Sequence, residues 1–205
     1  MARCLADGEV AGAVLVGVGM RPGRVPDVGP GCTLDELIER SDLIVEAAGQ
    51  GALADHGVEI LEAGCDLLAV STGALADPTV EARFSSAGPG RLYLCSGAIG
   101  GVDMIRAVRA LGEVDGVHIT TTKRPEGLVQ PTMTDEEARE LLATTEPIVL
   151  FDGDSRELVK LFPSSTNVAA TLALAVGSWD VVRGTVRADP TAELTSHVIE
   201  IEGAA

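Results

Sequence analysis

The sequence predicts an α/β fold: a Rossmann-like, doubly wound parallel sheet followed by an α+β substrate domain. Three observations carry this. Apolar runs rich in Val, Leu and Ile alternate with helical stretches through the first 95 positions, the pattern of a parallel sheet. Three of those runs, DLIVEAAGQGA at 42–52, DLLAVSTGALA at 66–76 and RLYLCSGAIGGVD at 91–103, end in very small side chains. Ligands of open α/β sheets bind outside the carboxyl ends of the strands, and small residues there let backbone approach a large flat ligand. Finally, 181–188 and 197–202 alternate apolar and polar every second residue, as strands of a sheet open to water on one face do.

In chain order, 1–12 reads as the last turns of a helix ending at Gly8 or Gly12, and 13–18 (AVLVGV) as a strand. A turn at 19–23 leads into a Gly/Pro-rich loop as far as Gly31. Thr33 caps a short helix through Arg40, with Glu36 in the capping-box position. Residues 42–47 form a strand, 52–63 a helix stopped by Gly64, 66–71 a strand, and Asp77-Pro78 opens another helix. The run 92–95 is expected to be a buried parallel strand. Beyond Ala98, helices are expected at 101–111, 134–144 (Thr134 as N-cap, Glu137 three residues on), 155–161 and 168–178, the last capped by Thr166 or Asn167. Strands are expected at 117–122, 147–151, 181–188 and 197–202. The division falls at 1–97, a dinucleotide-binding domain, and 98–205, an α+β catalytic domain.

Composition narrows the function. Net charge is −16 with only two lysines, Lys123 and Lys160, which argues against nucleic-acid phosphates and anionic lipid as partners. Such an acidic, lysine-poor surface suggests a salt-adapted host or a GC-rich genome. Aromatics make up 2%, so the core must be aliphatic. Cys4, Cys32, Cys65 and Cys95 lack CxxC spacing, which disfavours a metal site; they read as reduced thiols of a cytoplasmic protein. No apolar run reaches the length of a membrane span, and no signal peptide is visible.

CSGAIGGVD at 95–103, FPSSTNVAATLALAVG at 162–177 and ADPTAELTSHVIEIEG at 188–203 together resemble the L-aspartate dehydrogenase family, and DLIVEAAG and LLAVSTGALAD fit the same pattern. The resemblance implies oxidation of L-aspartate to iminoaspartate, which goes on to oxaloacetate and ammonia or feeds NAD biosynthesis. It implies NAD or NADP as cofactor and a homodimer formed through the second domain. By the same resemblance Ala98 and Asn167 contact the cofactor and His197, seven residues after Pro190, is the active-site histidine. Thr195 stands where the family usually has Asn. The family's first strand and GxGxxG loop have no counterpart ahead of 13–18, and its last elements none after 203. The chain therefore resembles a member truncated at both ends, with unpaired edges expected on the strands at 13–18 and 42–47. Weak dinucleotide binding by residues 1–205 follows as an expectation.

Residue chemistry agrees with these roles and leaves alternatives open. An imidazole suits uptake of the amine proton, while His56 and His118 read as surface or structural. Arg21 stands where an acidic residue would hold the ribose of NAD, so a 2′-phosphate could be accommodated. Cys95 beside Ser96-Gly97 could instead be the nucleophile of a semialdehyde-dehydrogenase-like enzyme, although an apolar run is a poor place for a thiolate. A non-catalytic truncated paralogue is the other alternative.

Overall fold

The computed structural model describes residues 2–21, 23–163 and 166–203. Pro22 of the expected 19–23 turn and Ser164-Ser165 of the FPSST stretch lie outside the described residues.

Short-range signals set most of the helices. Helix α1 (Ala2–Ala6) is followed by a left-handed Gly8. Strands β1 (Val18–Gly19) and β2 (Gly31–Cys32) then pair in parallel. Helix α2 (Leu34–Arg40) starts at a capping box in which Thr33 and Glu36 satisfy each other's backbone N–H. The second box, Thr134 with Glu137, starts α6 in the same way. Strand β3 (Leu43–Glu46), helix α3 (Gln50–Glu62) and strand β4 (Asp66–Ala69) follow. A 3₁₀ turn over Thr72–Ala76 precedes α4 (Pro78–Ser86), where Asp77 accepts from the amides of Thr79 and Val80. Strand β5 (Leu92–Leu94) completes a three-stranded, all-parallel sheet in the order β3–β4–β5. Leu53, Leu61 and Leu67, at 0–1% exposure, fill the space between α3 and this sheet.

Two expectations need correction here. The strand expected at 13–18 is ordered as a ladder only at 18–19, and its partner is β2, which begins at the last residue of the stretch expected to be loop. Val18 N–H donates to Pro30, which has no N–H to return, so the ladder cannot extend backwards. The run at 92–95 is not buried: Tyr93 and Leu94 are 44% and 36% exposed, and Cys95 lies past the strand. Among the described residues β5 is an edge strand with β4 as its one partner.

The second lobe is built on α5 (Val102–Leu111), β6 (Val114–Lys123), α6 (Asp135–Leu142), β7 (Ile148–Asp154), α7 (Ser155–Leu161), α8 (Asn167–Val176), β8 (Val182–Ala188) and β9 (Ser196–Gly203). Its sheet runs β7–β8–β6–β9, with the central β6–β8 pair parallel and both outer pairs antiparallel. Period-two alternation puts Val117, Ile119, Thr121, Val182 and Val186 under the helices. The other face carries a polar row: Thr185 Oγ1 donates to Asp152 (2.8 Å) and meets His118 Nε2 at 2.8 Å. That bond holds the Asp152 carboxyl below its ordinary range.

Helix α8 joins the lobes. Ala169, Ala170, Ala173 and Ala175, each at most 3% exposed, let it pack at close range between the 72–76 turn on one side and β6, β8 and α7 on the other. A clamp beside it ties α7 to the first lobe. Arg156 donates to the Ala76 carbonyl (2.6 Å) and to Glu81 (2.8 Å), lies 4.4 Å from the Trp179 ring centroid, and Trp179 Nε1 donates to the same Glu81 carboxylate.

Candidate active site

The carboxyl ends of β3 and β4 open into a cleft of about 770 Å³, walled by the 47–52 segment, Ser71, Pro163, Asn167 and Arg21. That size suits a small organic ligand. Its shape depends on Glu46, the last residue of β3 and only 8% exposed. Glu46 Oε1 accepts from Ala48 N (2.7 Å), Gly49 N (2.9 Å) and Ser71 Oγ (2.9 Å), and Oε2 accepts from Ser71 N (3.1 Å). One carboxylate thus binds the tips of two neighbouring strands. Gly49, at φ +118°, then turns the chain into α3 with its Cα facing open space.

Across the cleft Asn167 reaches from the second lobe. Its Oδ1 accepts from Gly73 N (3.1 Å) and Gln50 Nε2 (3.4 Å), its carbonyl accepts from Thr72 Oγ1 (3.1 Å), and Gln50 Nε2 also donates to the Pro163 carbonyl (3.1 Å). The expected capping of α8 by Thr166 or Asn167 is therefore corrected. Thr166 takes the N-cap place without a side-chain cap, its hydroxyl donating back to Phe162, while Asn167 is spent between lobes. The small residue at 73 also has a different reason from the expected one. A Cβ there would lie 2.8 Å from Asn167 Oδ1 and collide with the Gln50 amide, so glycine admits the partner lobe. With Oδ1 occupied, the amide NH₂ is what Asn167 offers to a ligand.

Ala98 lies in the exposed 95–101 loop, outside the residues that wall the cleft. The loop runs along the start of α8: Thr171 Oγ1 donates to the Cys95 carbonyl (3.5 Å), and a Cβ on Gly97 would touch Val168 at 3.9 Å. His197 lies on β9 directly opposite Thr121, and its Nδ1 meets Thr121 Oγ1 at 2.9 Å. Burial first, and then the charge of Lys123, press its imidazole below the ordinary value near 6.5. Burial likewise lowers Lys123.

Topology relates these groups. α8 enters β8 through 177–181, so the helix runs antiparallel to the strand beneath it. Its first turn therefore overlies the carboxyl end of β6 and β8. β9 runs against β6, which brings His197 to that same end. Asn167, the Ala98 loop and His197 thus share one side of the molecule, although no hydrogen bond among the described residues joins His197 to either of the others. Cys95 is different: among the described residues the histidine contacts go to Glu59, Thr185 and Thr121, and none is made with its thiol. Glu46 and Gln50 were not singled out from the sequence. A lone acidic residue closing the apolar run LIVE was the available signal for the first.

A parallel sheet with a cleft at its strand ends, closed by a helix of a second lobe that carries a half-buried imidazole, has the build of a two-lobed dinucleotide-dependent oxidoreductase. Residues 9–88 match the model of the homoserine dehydrogenase NAD-binding domain, and residues 103–205 that of the aspartate dehydrogenase C-terminal domain. The chain is 38% identical over 202 residues to the L-aspartate dehydrogenase of Ruegeria pomeroyi, covering 94% of this chain and 72% of that protein. It is 41% identical over 167 residues to the L-aspartate dehydrogenase of Ralstonia pickettii, covering 80% of this chain. The aligned part spans 61% of the length of the Ralstonia protein. The crystal structure of aspartate dehydrogenase from Thermotoga maritima superposes with a TM-score of 0.76 at 30% identity, over 95% of this chain and 78% of that one. The chain belongs to the aspartate dehydrogenase family.

Proposed function

We propose that the protein oxidises L-aspartate to iminoaspartate with NAD or NADP, in the cytoplasm, as a homodimer. The observation that carries the reading is the match to L-aspartate dehydrogenases across both lobes, including the segments that wall the cleft. In this reading residues 1–97 hold the dinucleotide and 98–205 the amino acid. A nicotinamide cofactor supplies, when bound, the acceptor for the hydride leaving the aspartate Cα. The residues of the chain do the rest. The Glu46-fixed tips and the Asn167 amide position the cofactor across the lobe boundary. The Ala98 loop offers backbone with almost no side chain in the way. His197, biased toward its neutral form by burial and by Lys123, takes the proton of the substrate ammonium, so that nitrogen can form the C=N bond as the hydride departs. Arg21 at the cleft wall favours acceptance of a 2′-phosphate. The open face of the second sheet, with Val149 and Val198 60% and 56% exposed, supports pairing of two copies there.

The deciding measurement is aspartate-dependent NAD(P) reduction at 340 nm, on residues 1–205 and on a version extended at the amino terminus. No turnover in either, at millimolar aspartate with both cofactors, overturns the reading.

A further inference from the structure

We propose that Lys123 is a substrate-binding residue: its ammonium holds a carboxylate of the small dicarboxylic acid whose amine faces His197. This rests on the function proposed above and adds to it the group that recognises the acid.

The placement follows from strand register. Thr121 and Lys123 are two residues apart on β6, so both project from the helix-covered face. His197 is the cross-strand partner of Thr121 and points to that same face, fixed there by the 2.9 Å contact with Thr121 Oγ1. Lys123 and His197 are thus diagonal neighbours, close enough for side chains to meet on one small molecule. Both are half-buried at the sheet end overlain by the first turn of α8.

The charge pattern singles out Lys123. The chain has 31 acidic residues against 15 Lys and Arg, so a cation here has an ample choice of carboxylates. Among the described cations only Arg156 and Lys123 are not exposed, and Arg156 has taken a carboxylate, that of Glu81. Lys123 has not, and among the described residues no carboxylate lies within ion-pairing distance of it. A half-buried ammonium without a counter-ion is costly to maintain. A dicarboxylate substrate supplies the missing charge. The pairing also couples binding to proton transfer. Unliganded, Lys123 discourages imidazolium at His197. A carboxylate neutralising Lys123 removes that opposition just when His197 must accept the amine proton.

The test uses the whole chain, with Lys123→Met, which keeps the length of the side chain but not its charge, and Lys123→Arg. Succinate is the probe of carboxylate binding, read by the NMR resonance of the His197 ring. Succinate is expected to shift that resonance in the parent and in Lys123→Arg, and to lose at least tenfold in affinity in Lys123→Met. With no ligand, Lys123→Met should raise the midpoint of His197 titration toward 6.5. Where turnover is measurable, Lys123→Met should raise KM for aspartate by about 10- to 100-fold and leave KM for the cofactor unchanged. Equal succinate affinity in the parent and Lys123→Met overturns the inference, as does a parent that ignores succinate at tens of millimolar. The two proposals fail separately. Aspartate-dependent turnover with an unchanged KM in Lys123→Met removes the role of Lys123 alone. A Lys123-dependent succinate response without turnover leaves the carboxylate site and removes the dehydrogenase reading.

Discussion

Replacing Glu46 by Gln should loosen the cleft without emptying any volume, and the structure sets the size of the effect. The carboxylate accepts four hydrogen bonds, three on Oε1 and one on Oε2. If the amide oxygen keeps the Oε1 place, the NH₂ group faces Ser71 N–H, donor against donor. That leaves one buried amide unmet, at a cost of about 1–3 kcal/mol. The other three bonds lose the assistance of a formal charge, and charged-group bonds exceed neutral ones by roughly 1 kcal/mol each. Relief from burying a charge offsets part of this. The net expectation is about 3 kcal/mol of destabilisation, measured from urea unfolding with an unchanged m-value. Amide hydrogen exchange should quicken at Ala48, Gly49 and Ser71 and stay slow at Leu67 and Leu172. A loss below about 0.5 kcal/mol, with exchange at those three amides unaltered, would refute the argument that this carboxylate holds the two tips.

Gly73→Ala should separate the lobes locally, since the added methyl must displace the Asn167–Gln50 pair. A cost of about 1–3 kcal/mol is expected, together with weaker dinucleotide binding by calorimetry. Arg156→Ala removes two hydrogen bonds and the stacking on Trp179. The site is about a third exposed, so the expected loss is about 2 kcal/mol, checked by urea unfolding. His197 is shifted down, so the folded chain binds its proton less readily than the unfolded chain. Its contribution to stability is complete above about pH 6.5 and is lost as pH falls through the lower folded value. Stability curves of the parent and His197→Gln should therefore run parallel above pH 6.5 and converge below it. The low-pH limb of kcat/KM for aspartate should likewise lie below 6.5.

Helices were legible because their signals are local. Thr33 with Glu36, Thr134 with Glu137, and Asp77-Pro78 each act within four residues, and each starts a helix where expected. Strand pairing and burial were less so. That Val18 pairs with Gly31, and that β5 lies at an edge with Tyr93 open to water, depend on which strands lie alongside. An apolar run reads the same at an edge and at a centre. The site divides in the same way. His197 was legible through the family motif, yet its tie to Thr121 joins positions 76 apart. Asn167 was found for its type, but the choice between capping its own helix and reaching Gly73 is decided 94 residues away. Glu46 serves amides just beyond the ends of two separate strands, and no spacing rule connects positions 46 and 71.

The alanine seam of α8 bears on how a ligand can be admitted. Side chains this short leave neighbouring backbones almost touching, and Arg156 bolts the flank, so a wide hinge opening would have to break many contacts at once. Entry and exit then fall to the 47–52 rim, which is fastened chiefly at Glu46 and Gln50. Small-angle scattering should accordingly give the same radius of gyration with and without dinucleotide, while the rim alone gives up or gains protection.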